Sequence, residues 1–241
     1  MIKVYGCSAP NPKKISIFLE EAEVPYEYVG LSLFENDNRS PEYLEINPNG
    51  RFPAIIDDDV DGEPLIIWES GAILVYLAEK YGKFLPTETR KRAETLKWLF
   101  WQVSHAPYIG NAHMYRIYVP EPREYEIKRF TNETARLYRL LEDHLEDREW
   151  MAADQFTIAD ITLFPWIQYH EWHGQQLEDS PNILRWFERM SARPGVARGK
   201  DIPYPVFQHP PSGKVDYDKL NTKIAARLAD PRYALKPDPV A

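Results

Sequence analysis

The order of β-prone and helical segments in the first eighty residues constrains the fold most. Residues 2–5, IKVY, form a short apolar run that predicts a strand. The apolar spacing from about Lys13 to Val24-Pro25 predicts a helix, and residues 26–31, YEYVGL, predict a second strand. This β-α-β unit implies a parallel strand pair with the helix on one face of the sheet.

A second unit of different order follows. Residues 52–57, FPAIID, and 64–68, PLIIW, are two β runs joined by a segment whose Asp61-Gly62 pair favours a hairpin. Residues 69–82 have the apolar period of a helix that ends at Gly82. Together the two units predict an α/β domain over residues 1–82, in the order β-α-β/β-β-α.

Beyond this domain the periodicity becomes helical throughout. We interpret residues 83–87 as a linker and residues 88–200 as an all-helical domain. The long helices are expected from residue 88 onward and over 124–147, 157–173 and 181–192. Residues 201–241 contain seven of the 21 prolines and are interpreted as a proline-rich extension.

Composition limits the partners and the compartment. A net charge of −8 without a compensating basic cluster disfavours nucleic acid and anionic membrane. No apolar run is long enough to span a membrane, and Met1 to Val4 lacks a signal-peptide pattern. The single cysteine, Cys7, excludes an internal disulfide framework and suits a reducing cytoplasm. The histidines show no metal-ligand spacing, so no metal is expected.

A proline stands at the start of a predicted strand in the sequence NGRFPAI. Pro53 lacks the N–H that a strand interior needs, so it is either an edge-strand proline or part of a cis Phe52-Pro53 bond. A cis bond would turn the backbone so that Phe52 presents its N–H and C=O groups to a ligand.

The sequence WESGAI begins a helix with Glu69 and Ser70. Both residue types favour helix N-termini through capping and the macrodipole, which is sufficient for most helices. Such a terminus also binds carboxylates through Ser70 Oγ and backbone N–H groups, and Glu69 beside it suits an ammonium. Together the two residues match the amino-acid head of a γ-glutamyl group.

The sequence FTIADI has the pattern of a capping box. Thr157 is placed as the N-cap and Asp160 three residues into the helix. We interpret this motif as structural.

One face of the first long helix is aromatic. Trp98, Trp101, His105 and Tyr108 recur at helical spacing, and Pro107 predicts a bend or break there. Trp98 is expected in the core. His105 and Tyr108 are either core residues or part of an acceptor pocket.

These motifs, in this order, resemble the cytosolic glutathione transferase family. The order β-α-β/β-β-α, the sequences RFPAI, ESGAI and FTIAD, and the helical second half carry the resemblance over about residues 1–200. It implies a thioredoxin-like first domain that binds glutathione and an all-α second domain that supplies most of the acceptor pocket. It also implies a homodimer.

Within that family, APNPKKISIFLEE and LKWLFWQ are similar to the bacterial Nu class and the yeast Ure2-like proteins. Those carry Thr-Pro-Asn where this chain has Ala9, Pro10 and Asn11. The class does not use a protein cysteine, so the resemblance implies that Cys7 is a bystander. The activated sulfur is then that of glutathione, with Asn11 and, in place of the missing threonine hydroxyl, Ser8 as candidate donors.

The resemblance also implies the remaining ligand contacts. Phe52 would bind the cysteinyl backbone, Glu69 and Ser70 the γ-glutamyl end, and Arg51 the peptide carboxylates. Arg129, in the sequence KRF, corresponds to an arginine near the glutathione site of the Nu class. Glutathione is the expected cosubstrate, with a small disulfide or electrophile as the second substrate.

Four functions follow from the resemblance. Glutathione-dependent disulfide reduction ranks first, with conjugation to an electrophile close behind. A non-catalytic glutathione-binding regulator and glutathione-dependent cleavage of a β-aryl ether remain as alternatives.

Overall fold

The computed structural model describes residues 1–33, 35–119 and 123–203. Its first half contains one four-stranded sheet, formed by β1 (Ile2–Gly6), β2 (Tyr26–Gly30), β3 (Ala54–Asp57) and β4 (Leu65–Trp68). The strand order is β2-β1-β3-β4, with β1 parallel to β2 and every other pair antiparallel. The predicted thioredoxin-like α/β arrangement is confirmed.

Three helices accompany this sheet. They are α1 (Pro10–Ala22), α2 (Pro41–Ile46) and α3 (Ser70–Tyr81). Helix α1 connects the parallel strands, and α3 follows the β3-β4 hairpin, as the sequence indicates. The short helix α2 was not predicted; it is capped by Ser40, whose Oγ accepts a hydrogen bond from the N–H of Tyr43 at 3.2 Å.

Five helices lie in the described part of the second half, which confirms the all-α prediction. They are α4 (Thr89–His113), α5 (Glu124–His144), α6 (Ile158–Ile167), α7 (Pro181–Ser191) and α8 (Pro194–Gly199). A π-helical turn, Met114–Tyr118, follows α4. The proline-rich extension predicted for residues 201–241 lies outside the described residues from 204 onward.

The two halves share one apolar core. Helix α1 packs against α6 and α8, so the sheet domain is covered by the helical domain on this side. The core includes fully buried side chains from both halves: Ile2, Val4, Ile17, Phe18, Ile55, Leu74, Leu99, Leu141, Ile161, Phe164 and Trp186. Among the described residues, no helix is both long and apolar enough to span a membrane.

The capping box before α6 is confirmed. Thr157 Oγ1 accepts from the Ala159 N–H at 3.2 Å, and Asp160 Oδ2 accepts from the Thr157 N–H at 2.9 Å. Asp160 Oδ1 also accepts from Met151 N and from Trp186 Nε1, both at 2.9 Å. The carboxylate therefore fixes α6 to the loop before it and to α7.

Two helix predictions need correction. Of the bend or break expected at Pro107, the break is wrong, because α4 continues through this residue to His113. Packing of α4 on α5 and α6 outweighs the roughly 3 kcal/mol that an interior proline costs a helix. The helix expected over residues 157–173 ends at Ile167, where a tight turn bond from Tyr169 N to Trp166 O leads into a 3₁₀ turn.

Candidate functional site

A cavity of about 550 Å³ opens where the two halves meet. It lies between the N-terminal ends of α1 and α3, the segment before β3, and the facing surfaces of α4 and α6. Seven of the predicted site residues line it: Pro10, Asn11, Arg51, Phe52, Pro53, Glu69 and Ser70. The fold thus brings together three motifs that lie up to sixty residues apart in the chain.

The first turn of α1 offers few backbone donors to this cavity. Ala9 is the N-cap and makes no side-chain capping bond. Pro10 and Pro12 have no N–H, and the N–H of Lys13 points back to the Ala9 carbonyl at 3.4 Å. Asn11 is therefore the one residue among the first three of α1 that carries a backbone N–H.

The side chain of Asn11 has a fixed orientation. Its Oδ1 accepts a hydrogen bond from Trp166 Nε1 at 3.0 Å. Since an indole N–H only donates, the amide oxygen must face Trp166 and the Nδ2 group must face away from it. Asn11 and Trp166 both line the cavity, so this pair presents an N–H₂ donor to a bound anion such as a thiolate.

Glu69 and Ser70 form the second part of the site. Glu69 lies just before α3 with φ of 74° and ψ of 114°, a backbone conformation that non-glycine residues rarely adopt. Its side chain is exposed, whereas Ser70 is buried at the first position of α3. A carboxylate and a helix N-terminus therefore lie side by side at one end of the cavity, as the γ-glutamyl interpretation requires.

The third part is the segment before β3. The Phe52-Pro53 bond is cis, which confirms the second of the two interpretations of this proline. The Arg51 carbonyl accepts hydrogen bonds from Tyr43 Oη at 2.6 Å and from Asn47 Nδ2 at 2.7 Å. Helix α2 and the residue after it thus hold this segment against the cavity, while the Arg51 side chain is exposed.

The helical domain contributes a mostly apolar wall. Its lining residues on α4 and just beyond it include Val103, Ala106, Pro107, Gly110 and Met114. This wall suits an apolar group attached to, or reacting with, the sulfur of a bound thiol.

The predicted acceptor residues His105 and Tyr108 lie outside the cavity. They do form one aromatic face with Trp98 and Trp101, as expected, with ring centroids 5.2 Å apart for Trp101 and His105 and 6.3 Å for His105 and Tyr108. Because that face is turned away from the cavity, the adjacent positions Ala106 and Pro107 form the wall instead.

Two further candidates do not line the cavity either. Ser8 precedes the N-cap of α1 and is partly buried, and Arg129 is exposed on α5. Cys7, by contrast, lines the cavity and is 5% exposed, in a small cluster with Tyr43, Phe52 and Ala54.

Besides the wall from α4, sequence reasoning missed two residues that hydrogen-bond to predicted site residues, Trp166 and Lys14. Trp166 sits in a helix whose residues are all buried, and Lys14 sits in an amphipathic one, so neither stands out from its pattern. Lys14 is fully buried, with Nζ 2.6 Å from Gln102 Oε1 and 3.3 Å from Ser70 Oγ. A buried lysine on the inner face of α1 is not readable from periodicity alone.

The arrangement suits a ligand that carries both an anionic sulfur and an amino-acid head group. A free thiol has a pKa near 8.5, and donors to the anion lower that value. Asn11 carries two groups that can donate to an anion, its side-chain amide and its backbone N–H, at the positive end of the α1 dipole. Among the described residues, no group of three or more His, Cys, Asp or Glu side chains is placed to bind a metal ion.

Comparison with known proteins agrees with this geometry. The chain is 42% identical over 203 residues to the disulfide-bond oxidoreductase YfcG of Escherichia coli, covering 82% of this chain and 94% of that protein. It resembles the structure of a glutathione transferase from Burkholderia graminis with two glutathione molecules bound per subunit. That match has 37% identity and a TM-score of 0.79, and covers 84% of this chain and 88% of the other.

Two further structures extend the comparison. A glutathione transferase from Pseudomonas putida, with one glutathione disulfide bound per subunit, matches at 34% identity and a TM-score of 0.80, covering 84% and 91% of the two chains. Ure2p in complex with glutathione matches at 32% identity and a TM-score of 0.78, covering 82% and 97%. The predicted similarity to the Nu and Ure2-like groups is confirmed.

The family assignment follows from the two domains. The sequence model of the glutathione S-transferase N-terminal domain matches residues 1–79, and that of the C-terminal domain matches residues 96–194. The chain belongs to the glutathione S-transferase family.

Proposed function

We propose that this protein is a glutathione-dependent disulfide reductase. The observation that carries the proposal is the Asn11–Trp166 pair, because the bond to Trp166 orients the Asn11 amide as a donor to the cavity. In the same cavity, Glu69 and Ser70 suit a γ-glutamyl head group. The similarity to a disulfide-bond oxidoreductase and to structures holding two glutathiones or a glutathione disulfide supports the same chemistry.

The reaction balances with two glutathione molecules. The first, as thiolate, attacks one sulfur of a disulfide, so that a mixed disulfide forms and a thiolate leaves. The second glutathione attacks the glutathione sulfur of the mixed disulfide and releases the second thiolate. Both leaving thiolates are protonated from solvent, and the products are one glutathione disulfide and two thiols. No protein cysteine is required, so Cys7 remains a bystander in this scheme.

The roles of the remaining residues follow the same proposal. Phe52, before the cis Pro53, binds the cysteinyl backbone, and Pro10 begins the helix that directs Asn11 at the sulfur. Arg51 lies near the peptide carboxylates. Arg129 assists an anionic ligand in the homodimer, so Arg129→Ala is expected to weaken glutathione binding. Ser8 is the fallback donor if Asn11 is not the main one.

Conjugation is the second candidate. The apolar wall formed by Val103, Ala106, Pro107 and Met114 favours an apolar electrophile next to the sulfur. A non-catalytic regulatory role, which the replacement of the class threonine by Ala9 would favour, and β-aryl ether cleavage rank lower, because the similarity to a disulfide-bond oxidoreductase favours disulfide chemistry.

One set of assays separates these functions. Turnover of 2-hydroxyethyl disulfide with glutathione, with little conjugation of 1-chloro-2,4-dinitrobenzene, is the expected result. Calorimetry is expected to give two glutathiones, or one glutathione disulfide, per chain. Binding without turnover of either substrate would favour the regulator, and release of a phenol from a β-aryl ether would favour the ether-cleaving enzyme.

We also propose a cytoplasmic homodimer. The single cysteine suits a reducing compartment. Leu65, Ile66 and Trp68 on the edge strand β4, and Phe100 on α4, are between 39% and 62% exposed. Large apolar side chains at an exposed sheet edge are typical of a surface that is covered in the assembled protein.

A further inference from the structure

Lys14 is a buried cation without a carboxylate partner. Its side chain is 0% exposed and lines the cavity. Its Nζ donates to Gln102 Oε1 at 2.6 Å and to Ser70 Oγ at 3.3 Å, both neutral acceptors. Among the described residues, no carboxylate forms an ion pair with it. Buried ammonium groups are almost always paired, so this position calls for an anion from elsewhere.

The surroundings define where that anion would lie. Ser70 Oγ accepts from Lys14, so its own proton can be donated to a third group. Ser70 is also the first residue of the twelve-residue helix α3, whose terminal N–H groups and dipole attract negative charge. Ammonium, hydroxyl and helix terminus therefore converge at the Ser70 end of the cavity, next to the exposed carboxylate of Glu69.

This combination recognises an α-amino acid rather than an isolated anion. A carboxylate would lie at Ser70 and Lys14, and an ammonium one carbon away would lie at Glu69. Resting on the function proposed above, we propose that Lys14 is the cationic partner of the α-carboxylate of the γ-glutamyl group and acts together with Ser70.

The helical domain holds this lysine in place. Gln102 Oε1, on α4, accepts from Lys14 Nζ and also from Thr162 Oγ1 on α6 at 2.8 Å. Gln102 and Thr162 are 1% and 0% exposed, so the network is sealed from solvent. The glutathione-binding domain thus depends on the second domain for the position of its carboxylate-binding cation.

Binding should be linked to protonation of Lys14. Burial lowers the pKa of Lys14 to about 7, against the opposing effect of Glu69. Glu69 is the charged group that acts on it; α4 and α6 present the neutral Gln102 and Thr162, and Lys13 turns the other way, to the carbonyl of Lys200. An arriving carboxylate favours the ammonium and raises this pKa. Above pH 7 the protein must therefore take up a proton as the ligand binds, and affinity falls as pH rises.

The test uses S-methylglutathione, because its blocked thiol removes the titration of sulfur. Calorimetry at pH 7.5 in phosphate and in Tris, whose ionisation enthalpies differ, gives the protons taken up per site. The expected uptake is about half to three quarters of a proton. The same measurement is made with S-methyl-(4-aminobutyryl)-Cys-Gly, which keeps the amino group and lacks the carboxylate, and its expected uptake is near zero.

The variant Lys14→Met tests whether Lys14 is the group that takes up the proton and binds the ligand carboxylate. In the parent, loss of the ligand carboxylate should weaken binding by roughly 10–100-fold, the scale of a charge-assisted hydrogen bond. In Lys14→Met the two ligands should bind within about threefold of each other, without proton uptake. Lys13→Met is the matched control, since it removes a buried lysine from the same turn that does not line the cavity. It should keep the parent ratio and the parent proton uptake.

Several outcomes would overturn the inference. Equal weakening of both ligands in Lys14→Met, or unchanged proton uptake, would show that the lysine is structural. If Lys14→Met does not fold, equal proton uptake by the parent with both ligands is sufficient to reject it. If the parent binds neither ligand, the proposed glutathione function itself is rejected. This outcome is distinct from failure of the Lys14 inference, in which the parent binds S-methylglutathione but the carboxylate or the lysine makes no difference.

Discussion

Asn11 contributes the most specific interaction to the proposed thiolate site. We expect Asn11→Ala to lower kcat/KM for a disulfide by roughly 10–100-fold, or about 1–3 kcal/mol, because one charge-assisted hydrogen bond to the sulfur is lost. The pKa of the bound thiol should rise at the same time, since a donor to its anion is removed. A pH–rate profile with glutathione and one disulfide substrate measures both effects.

Two variants control this experiment. Trp166→Phe keeps an aromatic side chain but removes the N–H that orients the amide, so its loss of activity should be smaller than that of Asn11→Ala. Ala9→Thr restores the missing hydroxyl and should raise the rate. If the profiles of the parent, Asn11→Ala and Ala9→Thr coincide, then backbone groups or Ser8 activate the sulfur instead.

Cys7 gives a second prediction for a single residue. It lines the cavity, yet the balanced reaction needs no protein thiol, and the chain has no second cysteine to resolve a mixed disulfide. We therefore expect Cys7→Ser to leave glutathione-dependent turnover within a few-fold of the parent. A loss of a hundredfold or more in a folded variant would make Cys7 part of the reaction.

Individual residues of the site were predictable to different degrees. Asn11, Phe52 and Ser70 lie in short motifs whose local chemistry is readable from the sequence. Trp166 was not predictable, because its bond to Asn11 joins positions 155 residues apart and its own helix is buried on every side. Lys14 was missed for the same reason: its burial is decided by helices that follow it much later in the chain.

At the scale of single elements, α6 gives the clearest stability prediction. The Asp160 carboxylate is fully buried and accepts from two backbone N–H groups, a hydroxyl and an indole. In Asp160→Asn, one oxygen becomes an NH₂ group that faces donors. We expect the free energy of unfolding to fall by about 2–4 kcal/mol, measured by urea denaturation.

A matched control separates this effect from a general loss of charge. Asp154 lies in the loop before α6 and is exposed, so Asp154→Asn should change the free energy of unfolding by less than about 0.5 kcal/mol. If both variants lose equally little, the capping carboxylate does not hold α6 in place.

Elements with a local signal were predicted well, and those set by packing were not. The strands and α3 carry their own periodicity and end signals, such as Gly82, which is the C-cap of α3 with φ of 63°. Helix α4 passes through Pro107 because its packing on α5 and α6 holds it, whereas helix propensity alone predicted a bend or break there. Helix α2 has only 6 residues, which is too short for an apolar period to be visible.

At the scale of the whole molecule, the site exists only because the two halves pack together. Asn11 is oriented by Trp166 of α6, and Lys14 is held by Gln102 of α4. The sequence motifs place the proposed glutathione contacts in the first domain. The orientation of the proposed thiolate donor, Asn11, and the position of the buried Lys14 side chain are set by contacts with the second domain. Neither domain's pattern contains that information by itself.

Assembly is the last prediction. Phe100 is 62% exposed on α4 and does not line the cavity, and the edge strand β4 exposes Leu65, Ile66 and Trp68. If copies associate through these apolar side chains, a charge at Phe100 would be buried without a partner. We expect the parent to sediment at twice the chain mass, Phe100→Glu to sediment as a monomer at micromolar concentration, and Phe100→Leu, which keeps an apolar side chain, to remain a dimer. A parent that is monomeric at every concentration would rule out the homodimer, and a dimeric Phe100→Glu would place the interface on another surface.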